Sequence, residues 1–130
     1  MSTSQGEAQN NLAMGLQILR RAAEAEPLQR RVLAITEATL GPGHPRVAIR
    51  LDTLAAILRA RGAAVEAEPL QRRALAITEA ALGTDHPDVA RRLNNLAGIL
   101  RDLGRAAEAE PLQLRALALS NHARSSDADA

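Results

Sequence analysis

The sequence predicts an all-α fold, a right-handed superhelix of about three helix-turn-helix units, and three observations carry that prediction. The first is a period of 42 residues: Glu-Ala-Glu-Pro-Leu-Gln begins at Glu24, Glu66 and Glu108, and residues 23–62 match residues 65–104 at 28 of 40 positions. Copies this alike share one structural unit, and a unit that cannot bury its apolar face alone must stack on its neighbours. The second is spacing. Val89, Leu93, Leu96, Ala97 and Leu100 in one half of the unit, and Ala67, Leu70, Ala74, Ile77 and Ala81 in the other, recur every three or four residues, as on the apolar face of a helix. The third is punctuation: Gly41 and Gly83 close one helix of the pair, and Gly62 and Gly104 mark the junction inside it.

Six helices follow in order. The first, Gly6 to Leu19, is the first half of a worn repeat in which Arg20 stands where the later copies have glycine. Its partner runs from Ala22 to Leu40, which places Pro27 near the first turn, where a missing N–H costs least. The third begins at Pro45 and ends at Ala60, with His44 biased by the proline towards the extended backbone of an N-cap. Ala64 to Leu82 repeats the second and Pro87 to Leu103 the third, with Asp88 adding a favourable charge to the helix start. The sixth spans Ala106 to Ala123. Glu26 with Arg30 and Glu68 with Arg72 have the i, i+4 spacing of surface ion pairs. One domain over residues 1–124 is expected, with repeats at about 6–41, 45–83 and 87–124, and a tail over 125–130 too poor in apolar residues to pack.

Composition narrows the function. All sixteen basic residues are Arg, and against fifteen acids they leave a net charge of +1, too weak a field to hold nucleic acid or an anionic membrane. Cysteine is absent, which removes disulfides, thiol chemistry and thiolate metal sites. No apolar run reaches membrane-spanning length and the N-terminus lacks the pattern of a signal peptide, so a cytoplasmic location is expected. With no Phe, Tyr or Trp, 28 Ala and 20 Leu must fill a thin core of closely approaching helices.

The run Leu82-Gly-Thr-Asp-His-Pro-Asp-Val-Ala, then Leu93-Asn-Asn-Leu-Ala, Gly104 and Ala109-Glu-Pro-Leu resembles the 42-residue tetratricopeptide repeat of the kinesin light chain type. The resemblance covers nearly the whole chain. It implies a helical solenoid that binds a peptide or partner segment in the groove lined by the first helix of each repeat. Two family positions that are often aromatic hold Ala64 and Ala106 in one case and Gln29, Gln71 and Gln113 in the other, which lightens the packing.

Comparing the copies locates a candidate surface. The first-helix positions that differ are Arg46, Ile49, Asp52, Thr53, Ala56 and Ala60 against Asp88, Arg91, Asn94, Asn95, Gly98 and Asp102, and steps of three and four put them on one stripe. Its first-repeat members include Asn10, Met14 and Ile18, so apolar groups interrupt an otherwise polar face. Asn10, Asn94 and Asn95 can both donate to and accept from a peptide backbone, and Arg59 and Arg101 flank them where an acidic partner could pair. The candidate partner-binding residues are therefore Asn10, Met14, Ile49, Asp52, Thr53, Arg59, Arg91, Asn94, Asn95 and Arg101. Against this stands the plain reading that solvent tolerates variation on any exposed face.

Catalysis, cofactors and metals are not expected. His44 and His86 are repeat equivalents in turns, His122 stands alone, and the recurring glutamates sit at helix starts whose dipole accounts for them. Two functions remain: a non-catalytic module that binds a protein or peptide partner, or a scaffold that assembles with itself as a dimer or an end-to-end stack through uncapped repeat ends.

Overall fold

A computed structural model describes the backbone of Thr3–Asp129 and the side chains of residues 12–124. The described residues form five α-helices: α1 (Thr3–Leu40), α2 (Pro45–Ala60), α3 (Ala64–Leu82), α4 (Pro87–Asp102) and α5 (Ala106–Asp129). Each helix packs mainly on the next in the chain, so α2 lies between α1 and α3, and α4 between α3 and α5. That is the layered order of a helical solenoid.

The starts of α2 and α4 follow from His-Pro. His44 and His86 sit in extended backbone, and their Nδ1 atoms accept the N–H of Arg46 and Asp88, each at 3.1 Å. Proline then occupies the first turn, where no carbonyl is waiting for its missing N–H. Both helices end at a glycine of positive φ, Gly62 at +82° and Gly104 at +75°, which turns the chain back on itself within three or four residues.

The same rule explains where the expected six helices become five. Gly6 to Leu19 and Ala22 to Leu40 are one continuous helix, because Arg20 occupies the place of Gly62 and Gly104 and an L-residue resists the left-handed backbone the turn requires. The N-terminal half of α1 therefore does not fold back on its partner. The backbone of α5 continues as helix to Asp129, through most of the segment expected as a tail. Pro27, Pro69 and Pro111 all lie inside helices, with Pro69 at the sixth residue of α3 and not at the edge of its first turn. The carbonyls they free belong to Ala23, Val65 and Ala107, all exposed, so water can take the lost hydrogen bond.

The core is a chain of small clusters. Leu54, Ala55, Leu58, Ala64, Ala67 and Ile99 form one, and Val47, Ala48, Leu51, Ala74 and Ile77 a second, with Leu33 of α1 and Leu70 of α3 packed against both. The third repeat copies the arrangement with Val89, Ala90, Leu93 and Ala116, and with Leu96, Ala97, Leu100 and Ala109.

Ion pairs repeat with the same period. Arg73 reaches Glu37 at 2.8 Å, and one repeat later Arg115 reaches Glu79 at 3.2 Å. Glu26 and Glu68 each bind the arginine four residues on and a second arginine beside the next glycine turn, Arg61 in one case and Arg105 in the other. Burial pushes the Glu68 carboxyl up, but hydrogen bonds and charge from Arg105 and Arg72 outweigh it and hold the group below the ordinary carboxylate value. A depressed folded-state pKa contributes stability above the unfolded value of 4.5 and loses it as pH falls through the folded one. Urea midpoints measured from pH 7 to pH 3 should therefore hold level and then fall in acid, and Glu68→Gln should make that fall shallower.

No described helix is long and apolar enough to cross a membrane.

Candidate functional site

The first-helix stripe of α2 and α4 meets across a pocket of about 350 Å³. Asp52, Ala55, Ala56, Arg59 and Ala60 line it from α2, Asn95, Ile99 and Asp102 from α4, and Gln71 from α3 beneath. Helical spacing accounts for the lining: 52, 56 and 59 lie on one face of α2, and 95, 99 and 102, one residue on from their repeat equivalents, lie on one face of α4.

Two polar clasps close its ends. Asp52 accepts from Asn95 Nδ2 at 2.7 Å and from Arg92 at 3.4 Å, and Arg92 is only 3% exposed. At the other end Arg59 grips Asp102 through two nitrogens, at 2.5 and 3.4 Å. Gly98 makes room for that guanidinium, since a Cβ added there would lie 2.5 Å from an Arg59 nitrogen. The difference between Ala56 and Gly98 in the two copies thus has a geometric cause: α4 gives up a methyl so that Arg59 of the preceding repeat can cross to Asp102.

The floor is unusual. Gln71 is 1% exposed, lines the pocket, and its Nε2 has no hydrogen-bond partner. Leaving a buried amide donor unpaired costs about 1 to 3 kcal/mol, which makes it an atom that needs an acceptor. Around it the walls are mixed, with Ala55, Ala56 and Ile99 apolar and two carboxylates facing two guanidinium groups in the clasps.

The residues singled out from sequence are distributed unevenly. Asp52, Arg59 and Asn95 are brought together at the pocket, and all three hold α2 to α4. Asn94 is exposed beside them and outside the lining. The Thr53 hydroxyl donates to the Ile49 carbonyl of its own helix at 3.0 Å, and the Ile49 side chain lies half exposed. Arg91 is paired with Asp88 at 2.8 Å, and Arg101 donates to Gln113 on α5. Met14 sits on the projecting half of α1, away from the pocket, and Asn10 lies outside the residues whose side chains are described. Sequence reasoning missed Gln71, although a glutamine recurring three times where an aromatic is common was the signal. Among the described residues, no three His, Cys, Asp or Glu side chains are placed to hold a metal.

Family comparison agrees with this architecture. Residues 48–122 and, separately, 6–46 match tetratricopeptide repeat models. The chain belongs to the tetratricopeptide repeat family. Two solved structures of nearly identical TPR-like repeats from the Podosopora anserina "putative kinesin light chain", one of them a variant, are similar to it at 27% and 28% identity with TM-scores of 0.72 and 0.71. They cover 95% and 94% of this chain, which spans 58% of the length of each. No curated protein matches. The repeats are thus of the kinesin light chain-like type, and repeats of this family are non-catalytic modules of protein–protein interaction and scaffolding.

Proposed function

We propose that the chain is an interaction module that holds an extended segment of a partner protein between α2 and α4, with Gln71 at the bottom of the site. The observation that carries this reading is the unpartnered Nε2 of a buried glutamine facing a pocket of about 350 Å³. An extended segment offers a carbonyl oxygen in each residue, so one entering the groove can satisfy that donor. A small apolar side chain beside it fits against Ala55, Ala56 and Ile99. Arg59 and Asp102 at the rim, already paired, set the edge of the site more than its affinity, as exposed ion pairs contribute little. Asn94, exposed and free of the α2–α4 clasp, is the stripe asparagine best placed to add a contact at the mouth.

The test is a display selection of peptides on the whole chain, followed by binding to Gln71→Leu. Leucine keeps most of the volume and removes the orphan donor, so the variant should be as stable as the parent or more so, by about 1 kcal/mol. Affinity for the selected peptides should fall at least tenfold. Peptides that bind both forms equally would show that the groove is not the site.

A further inference from the structure

We propose that this chain forms a two-fold dimer in which the N-terminal half of α1 of each copy docks on the C-terminal half of α1 of the other, in the place that α2 occupies on α3. The internal repeat identifies the occupant. In the second and third repeats the first helix buries three leucines, all at most 1% exposed; one, Leu51 and Leu93, corresponds to Gln9 in the first repeat, and the other two are Leu54 with Leu58 and Leu96 with Leu100. Leu12 and Leu16 stand at the same two positions of the first repeat and are 65% and 59% exposed. The complementary face shows the same contrast. Leu70 and Ile77 pack beneath α2, and Leu112 and Leu119 beneath α4, yet their equivalents Leu28 and Ile35 are each 59% exposed.

The chain thus carries both halves of one more helix-pair interface, and residues 6–46, which contain both, match a repeat model of their own. They cannot meet within one molecule while α1 is continuous. Leu12 and Leu28 are sixteen residues apart along one helix, about 24 Å. A second copy running antiparallel, with the symmetry axis near Arg20 and Arg21, brings each 6–19 segment onto the other's 22–40 segment in the register of α2 on α3. The contact is isologous, so it closes at two copies and does not propagate. Arg20 is the cause in sequence: a helix pair that lacks its turn glycine opens and exchanges.

The chain has no cysteine, so introduced thiols report the contact without background. Ala55 and Ala67 share one buried cluster, and their first-repeat equivalents are Ala13 and Ala25. Ala13→Cys and Ala25→Cys chains, refolded together and oxidised, should give a cross-linked species at twice the 13.8 kDa chain mass, and neither alone should do so. Light scattering of the parent should rise towards the same doubled mass with concentration. Leu16→Glu should return it to monomer with helicity retained, and Arg20→Gly should shift it to a monomer whose Ala13→Cys/Ala25→Cys form closes within one chain. A parent that stays monomeric at all concentrations, an intrachain link without Arg20→Gly, or a dimer that this cysteine pair does not link would each overturn the proposal.

Discussion

Leu54→Ala should destabilise the fold by about 3 kcal/mol, within the 2 to 5 observed when a fully buried leucine is truncated. Leu54 is wholly buried in the cluster that joins four helices: Leu33 of α1, Leu58 of α2, Ala67 and Leu70 of α3 and Ile99 of α4 all contribute. Its neighbours include three alanines, which have no spare length to move into a void, so the cavity cannot collapse and the cost should sit well inside the range. In thermal unfolding that corresponds to a fall of melting temperature on the order of 10 °C. The repeat supplies the control. Leu12 is the same residue at the same repeat position, and Leu12→Ala, at concentrations where the chain is monomeric, should change stability by less than about 0.5 kcal/mol because its side chain is already in water.

Asp52→Ala is expected to cost nearly as much, about 3 kcal/mol, for an electrostatic reason. Arg92 is buried, its Nε is unpartnered, and Asp52 is the carboxylate within reach of its guanidinium. Removing the carboxylate leaves a buried charge uncompensated and also frees Asn95, so the contact between α2 and α4 loses both bonds at that end. Replacing the charge as well reverses the logic. Asp52→Ala combined with Arg92→Met should recover most of the loss, since an apolar side chain of similar length does not require a counter-ion. Urea unfolding of the two single variants and the double variant gives the coupling directly, and additive losses would remove this account of the clasp.

The helices were legible because their signals are local. His-Pro, the glycine turns and the apolar spacing each act within a few residues, and α2, α3 and α4 begin and end within a residue of where those signals put them. The fusion of the first two helices was legible in part. Arg20 in place of glycine was visible, but reading the first repeat by analogy with the others imposed a turn that its backbone chemistry does not support.

The groove was harder. Mismatch between copies marks positions that do not pack in the same way, and it gathers residues with different roles into one stripe. Asn95 and Asp102 differ from their equivalents, Thr53 and Ala60, because they meet partners on the other first helix, Asp52 and Arg59, each 43 residues away in sequence. Gln71 is the opposite case. It is identical in all three copies, so a comparison of differences passes over it, and its importance comes from a burial that only the stacked helices create.

That glutamine is where the functional account is most exposed to test. In a nitrogen-15 correlation spectrum of the labelled chain, the Gln71 side-chain amide should shift and become protected from solvent exchange when a selected peptide is added. A peptide that binds while leaving the Gln71 amide unmoved would contradict the assignment of this groove as the partner site.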